Sequence, residues 1–470
     1  MKYATFVPEA ILVAGAVTIL LNARLQPGLH RRLRPRLPWY AAAIVLIALG
    51  VELWAGANVG TYYDGGLVQD RFALFAKSAA LLATAIAIAA TDWPAEDSLS
   101  FSLAMPILAA FGVMVTASAG DFIGVWAGVE VTAAAGLAML AVRRPDLAMR
   151  LLLAGGAAGA VLLLGLAYVY ATSGTADLLG MRSVLTDVAP TLPLAIPVSL
   201  ALGSLAFRAS LSPLQVSGGP FTPPASPLST GLVTGLSAAA ALVAAVKITA
   251  ALGPVAAVFG PFLEVVAVVT MIGGGAAALA VRAPRARIGF LAASQGGWVL
   301  AGLSTHYHAG TGAAVFLLGA LVIAATAGPA VMGALGAAEP TLAGFGALRP
   351  HRAVALSLCM LSLAGVPPLA GFFGEFTVAS ALAGAGRFEL LAAGLLGSVL
   401  CVIAALGTIR VVYLFNPLEE SRRAGLVLPV WSRFSAGAAV VLAIVIPAYS
   451  LFANPILSLA FQSAEGLGLK

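Results

Sequence analysis

The stretch DFIGVWAGVEVTAAAGLAML, Asp121 to Leu140, decides the fold. At a helical rise of about 1.5 Å per residue it can cross a hydrocarbon core about 30 Å thick. After its first residue it carries one ionisable group, Glu130, near its middle. Ala, Val, Leu and Gly dominate it without the apolar–polar alternation of a membrane strand, so it reads as a transmembrane helix and not as part of a lipid-exposed barrel. The whole chain is written the same way: 61% of its 470 residues are hydrophobic and 9% charged. Soluble domains run at roughly 45–50% and 25%, so a water-soluble fold could not dress its own surface.

Apolar runs fall at approximately 4–22, 38–55, 72–91, 99–118, 120–142, 148–172, 192–216, 227–251, 254–281, 288–304, 309–336, 353–384, 388–415 and 434–461. The expectation is an all-α integral membrane protein of about fourteen transmembrane helices. Glu9 lies inside the first run and only Lys2 precedes it as a basic residue, so that run is a span and not a cleaved signal. The 52 glycines suit close helix–helix packing.

Basic residues sort the loops. Those after odd-numbered spans hold sixteen arginines, in groups at 24–36, 143–150, 282–287, 349–352 and 422–433, against five basic residues on the other side, Lys2, Arg71, Arg182, Arg387 and Lys470. Positive loops stay inside, so both termini are expected on the outer, periplasmic side of a bacterial inner membrane. The net charge of +6 is thereby topology, and arginines scattered over short loops without stacking aromatics do not read as a nucleic-acid surface.

Two spans are dense in proline and glycine: SLAFRASLSPLQ, Ser204 to Gln215, in the seventh, and SLAGVPPLAGFFGEF, Ser362 to Phe376, in the twelfth. Proline removes a backbone donor and clashes with the preceding turn, so both helices are expected to break, in places where protein or water resatisfies the backbone. The breaks lie five spans apart and share a Ser-Leu-Ala start, the pattern of a duplicated five-helix unit whose odd span number would invert the second copy. The expected division is 1–98 for helices 1–3, 99–252 for a first five-helix repeat, 253–415 for the second, and 416–470 for a loop and helix 14.

A charged side chain at a helix centre costs about 2.5–3.5 kcal/mol, so each one needs a partner or a task. Glu52, Lys77 and Arg410 stand near span ends and read as snorkelling or structurally paired groups. Glu130, Arg208, Lys247 and Glu375 read as a polar axis: Glu130 and Arg208 can pair within one five-helix unit, and Glu375 directly follows the second break. Lys247, towards the outer end of its span, reads as reaching the interface, and Glu264 is left open. A carboxylate beside a cation at the midplane can exchange protons with internal water, whereas a guanidinium stays protonated and only sets the field. Cys359 and Cys401 fall inside apolar runs and read as small hydrophobes. His30, His306, His308 and His351 read as loop residues, the pair around Tyr307 as turn caps and not metal ligands.

Four stretches in this order resemble the proton-translocating antiporter-like family, which comprises subunits L, M and N of NADH-quinone oxidoreductase and the Mrp-type antiporter and membrane-hydrogenase subunits. Gly120 to Leu140 is similar to the family's fifth helix, with Glu130 at its key glutamate. FRASLSPLQVSGGPFTPPASPLS, Phe207 to Ser229, resembles F-K-x-x-x-x-P-F-H-x-W followed by a proline-rich segment. RIGFLAASQGGWVLAGL, Arg287 to Leu303, resembles the tenth helix, and LSLAGVPPLAGFFGEF, Leu361 to Phe376, matches S-L-A-G-x-P-P-x-x-G-F-x-[GK]-[KE]-F. PEAILV near the start and DRFALFAK at Asp70 to Lys77 look more like subunit N than L or M.

The departures touch the proton path the resemblance implies. The seventh-helix lysine is Arg208, the histidine of P-F-H is Gln215, the eighth-helix lysine falls near Ser237 with Lys247 about ten residues on, and the twelfth-helix lysine is Glu375. The resemblance implies a non-redox, proton-translocating membrane-arm subunit of NADH-quinone oxidoreductase. Its expected partners are antiporter-like and quinone-site subunits and a peripheral arm, and those partners would hold FMN, iron–sulfur clusters and quinone. No cofactor or metal site is expected in this chain. The alternatives are an Mrp-like cation/proton antiporter or membrane-hydrogenase subunit, and a structural paralogue with a degenerate path.

Overall fold

The computed structural model describes residues 4–25, 33–56, 58–93, 98–187, 192–211, 226–333, 342–416 and 432–467. In chain order these form α1 (Val7–Leu25), α2 (Leu37–Ala55), β1 (Gly60–Tyr62), β2 (Leu67–Gln69), α3 (Arg71–Ala90), α4 (Leu99–Ser118), α5 (Phe122–Ala141) and α6 (Pro145–Ser173). There follow α7 (Leu178–Leu185), α8 (Leu192–Arg208), α9 (Pro227–Ala251), α10 (Ala256–Ala280), α11 (Pro284–Ser304) and α12 (His308–Met332). The chain continues with α13 (Phe345–Leu348), α14 (Pro350–Leu363), α15 (Ala370–Gly384), α16 (Phe388–Leu414), α17 (Ser432–Leu451) and α18 (Ala453–Gly466).

Among the described residues nine helices are long and apolar enough to cross a membrane, ten if α17 and α18, bent by 72° against each other, count as one span. The other apolar runs fold as shorter or interrupted pieces. α1 and α8 are short apolar helices, the run at 353–384 is split into α14 and α15, and α11 carries Arg285, Arg287, Ser294 and Gln295.

α12 is the axis of the bundle, with every residue from Gly310 to Met332 buried, and the second half of α9, Ala238–Ala251, is buried along its whole length. A helix that is apolar all round has no preferred outward face and settles where it is covered on every side. α9 contains one π-helical segment, Leu232–Ser237. Close approach is bought by small residues: a methyl group on Gly112 of α4 would lie 2.7 Å from the Gly128 carbonyl of α5, and one on Gly128 the same distance from that of Gly112.

The two ends of the bundle are closed differently. At one end the β1–β2 hairpin lies over the helix termini, bridging Leu67 to Ala119, and aspartates cap three helices. Asp70 accepts from the Ala73 amide at 2.6 Å, Asp121 from Gly124 at 2.6 Å and Asp177 from Gly180 at 2.5 Å, which satisfies amides that have no partner within the helix. At the opposite end Asp92, just past α3, receives both Arg352 amino groups of α14 at 2.6 and 2.7 Å, Arg349 at 3.1 Å and Ser435 of α17 at 2.9 Å. Burial works against the Asp92 charge, but the Arg352 hydrogen bonds and charge, with Ser435 and Arg349, outweigh it and hold the carboxyl below its ordinary range.

Candidate functional site

Glu130 projects from the middle of α5 and Arg208 from the last turn of α8. The two side chains form an ion pair, in which an Arg208 amino group donates to Glu130 Oε1 and also to the Gly155 carbonyl of α6 at 2.6 Å. Arg208 is the more enclosed partner, its side chain 5% exposed against 30% for Glu130. α6 passes the pair at Gly159, where a methyl group would collide with both the carboxylate and the guanidinium. Just beyond Arg208 the backbone leaves the helix, with Ser210 at φ 56°. Gln215 and the proline-rich segment after it lie outside the described residues.

Glu375 sits in α15, on the far side of the second break. α14 ends at Leu363, Gly365 takes φ +70°, the Pro367–Pro368 bond is cis, and α15 begins at Ala370. The Ser362 hydroxyl accepts the Gly371 amide at 3.3 Å across the gap, so side chains resatisfy part of the interrupted backbone. The buried Glu375 carboxylate receives neutral donors: Gln295 of α11 at 3.2 Å on Oε1 and Ser398 of α16 at 2.7 Å on Oε2. Gln295 also donates to the Ser362 carbonyl at 3.0 Å, and Trp298 orients Ser398 from 3.1 Å. Among the described residues Glu375 has no ion pair.

Lys247 does not reach the interface as its position in the sequence implies. It is 4% exposed, and its ammonium donates to the Ala117 carbonyl at the end of α4 at 2.7 Å. Its nearest charges are Asp70, Lys77 and Asp121. It lines a cavity of about 720 Å³ under the β hairpin, together with Gln69, Asp70, Arg182, Gln462 and Glu465. Burial raises the Asp70 carboxyl above its ordinary range, against the pull of Lys247 and the Ala73 amide. Ser237, at the eighth-helix lysine position, ends the π-helical segment with its hydroxyl turned towards Gly136 of α5.

Of the four residues expected to form a polar axis, the structure brings Glu130 and Arg208 together. No hydrogen bond or ion pair among the described residues links that pair to Lys247 or Glu375. Buried Thr234, Thr326, Ser294 and Gln295 lie on the intervening helices α9, α12 and α11.

A second polar cluster escapes the sequence reading. Lys77 is fully buried and lies 2.6 Å from Glu9 and 3.9 Å from Glu52, and its ammonium also donates to Gln69 at 2.8 Å. Of the two expectations for this residue, structural pairing holds and snorkelling does not. Arg410 lies over the Phe415 ring near its helix end, Glu264 pairs with Arg387 at 3.0 Å, and the two cysteines are free and buried. Two of the expected loop histidines sit in helices instead, His308 at the first position of α12 and His351 at the second of α14, while His306 closes the turn after α11 at φ 56°. Burial, aided by Arg387, pushes His306 down to about 4.

Residues 119–401 match the profile of the NADH:quinone oxidoreductase/Mrp antiporter transmembrane family. The chain is 30% identical over 439 residues to NADH-quinone oxidoreductase subunit N of Jannaschia sp. (strain CCS1), covering 89% of each chain. It is 27% identical to subunit N 1 of Rhizobium meliloti (strain 1021), over 88% of this chain and 89% of that one. Among solved structures it superposes on a chain of the Mrp complex from Dietzia sp. DQ12-45-1b with a TM-score of 0.82, at 20% identity over 99% of this chain and 98% of the other. A chain of respiratory complex I from Thermus thermophilus with bound aureothin gives 0.77, at 21% identity over 96% and 98%. At these identities the structural likeness speaks for the fold, and the profile and the sequence relatives carry the kinship: this chain belongs to the NADH:quinone oxidoreductase/Mrp antiporter family of membrane proteins.

Proposed function

We propose that the chain is an antiporter-like, membrane-arm subunit of a proton-pumping NADH-quinone oxidoreductase, lying in a bacterial inner membrane with both termini outside. In this reading it has fourteen spans, three leading helices over 1–98 and two inverted five-helix repeats over 99–252 and 253–415. It does no redox chemistry. FMN, iron–sulfur clusters and quinone belong to its partners, the peripheral arm and the antiporter-like and quinone-site subunits, and coupling to them is electrostatic or conformational.

One observation carries the reading: each of the two interrupted spans has a membrane carboxylate at its break, Glu130 against the end of α8 and Glu375 beyond the end of α14. Ionisable groups inside membrane helices mark ion pathways, and interrupted helices supply the hydrated backbone such pathways need. Glu130 and Glu375 act as proton-exchanging stations, Arg208 as a fixed charge that biases the first, and Lys247 as the buried cationic group of the cavity wall.

The test compares proton pumping with electron transfer in the assembled complex, reconstituted in vesicles. Glu130→Gln and Glu375→Gln should each lower the protons moved per electron while NADH-driven quinone reduction continues. Unchanged stoichiometry in both variants leaves only a scaffold role. Purification of the chain without quinone-site and flavin subunits favours a free-standing Mrp-like antiporter instead.

A further inference from the structure

Three helices outside both interrupted spans converge on one buried charge cluster. Glu9 of α1, Glu52 of α2 and Lys77 of α3 meet at the end of the bundle covered by the β hairpin, with Glu9 8% exposed, Glu52 1% and Lys77 fully buried. Gln69, the last residue of β2, joins them: its amide nitrogen donates to Glu52 Oε1 at 2.8 Å and its amide oxygen accepts from Lys77 at 2.8 Å.

The charges do not balance. Two carboxylates face one ammonium, Lys77 lies close to Glu9 but 3.9 Å from Glu52, and the remaining Glu52 oxygen and Glu9 Oε2 receive no hydrogen bond from the described residues. Among the described residues no second cation reaches the two carboxylates. The Arg71 side chain is hydrogen-bonded to Gln462 of α18, and Asp70 and Lys247, which act on each other electrostatically, line the neighbouring cavity. A buried pair of carboxylates left with a net negative charge relieves it by taking up a cation. The Lys77 ammonium already stands 2.6 Å from one carboxylate and 3.9 Å from the other, and a proton is the cation that adds no volume beside it.

We propose that Glu9 and Glu52 together bind one exchangeable proton over Lys77, and that Gln69 separates this site from the cavity that holds Asp70 and Lys247. Gln69 lines that cavity and at the same time has its amide engaged by both Lys77 and Glu52. Its side chain must move before the proton exchanges with the cavity, so Gln69 sets the rate of exchange and the two carboxylates set its extent. The site goes beyond the proposed pumping path: it stands on the charge count of α1–α3 and is tested without reference to transport.

The experiment is infrared difference spectroscopy of the complex in native membranes after a jump from mildly alkaline to mildly acidic buffer, read in the protonated-carboxyl band. Glu52→Gln and Glu9→Gln should each remove the same component of that band, because the proton is shared. Gln69→Ala should keep the component and make it appear several-fold faster. Assembly of each variant is checked by its recovery with the other subunits. If Glu52→Gln does not assemble, Glu9→Gln and Gln69→Ala decide the matter by themselves. A carboxyl band identical to wild type in an assembled Glu9→Gln variant overturns the shared proton, and an unaltered rate in Gln69→Ala overturns the gate.

Discussion

Each of the two interrupted spans has a carboxylate at its break, Glu130 of the neighbouring α5 at the first and Glu375 of α15 at the second, and the two meet opposite chemistry. Glu130 meets an arginine and is 30% exposed, whereas among the described residues the buried Glu375 meets a glutamine amide and a serine hydroxyl. Arg208 brings a charge that does not titrate, so the first site keeps a permanent cation whatever its carboxylate does. Among the described residues the second site has no such partner, and its charge is the charge of its one carboxyl group. In the proposed path the two sites therefore do different work: the first is biased by a constant field, and the second is free to change its own.

The largest effect should come from Gly365→Ala. At φ +70° an added Cβ is strained by roughly 1–2 kcal/mol, and here it also runs into the Glu375 carboxylate. The variant should lose most of the assembled subunit, read as its recovery in the purified complex, and wild-type recovery would show that the second break tolerates repacking. Gly159→Ala is the matching blow at the first site. Its methyl group pushes between Glu130 and Arg208, an overpacking that costs about 1–3 kcal/mol, so the subunit should assemble but pump several-fold less per electron. Pumping at the wild-type level would separate the ion pair from transport.

Arg208→Lys sharpens the comparison further by keeping the charge and making it titratable. Pumping should survive near neutral pH and decline in alkaline buffer, where the wild type does not decline; matching pH profiles would mean that Arg208 contributes no field to the path. The smallest effect is expected far from both sites, at His306. A histidine held down to about 4, from an ordinary 6.5, contributes stability that is present above 6.5 and lost as pH falls towards 4. His306→Gln should flatten that part of the thermal-melting profile of the detergent-solubilised protein without altering pumping, and an unchanged slope would assign the acid sensitivity elsewhere.

Much of this was legible in the sequence because membrane helices announce themselves by length and apolarity, and because Pro367 and Pro368 cannot continue a helix. The Glu130–Arg208 contact could be anticipated since an isolated charge in a span needs a neighbour. What could not be read was which helix faces which. α9 is apolar around its whole circumference, so nothing in its pattern says that Lys247 is buried against Ala117 and not turned to the interface. Glu52 and Lys77 read as snorkelling or structurally paired, and the pairing holds, but their partner Glu9 could not be named, because only the packing of α1, α2 and α3 brings the three together. The signal closest to finding them is Gln69, a polar residue beside Asp70 at the entry to the helix that carries Lys77. The π-helical segment of α9 left no mark beyond its glycine and threonine content.

The clasp on Asp92 bears on how the protein is made. Its carboxylate emerges from the ribosome early, but Arg352 follows 260 residues later and Ser435 343 residues later. At about 5–20 residues per second the wait is on the order of tens of seconds. For that time Asp92 must stay hydrated at the membrane surface, and the early helices remain unlocked until nearly the whole chain has been inserted. The clasp is therefore a late checkpoint of biogenesis: a chain stalled before α14 leaves a bare aspartate where a finished one shows a closed ion pair.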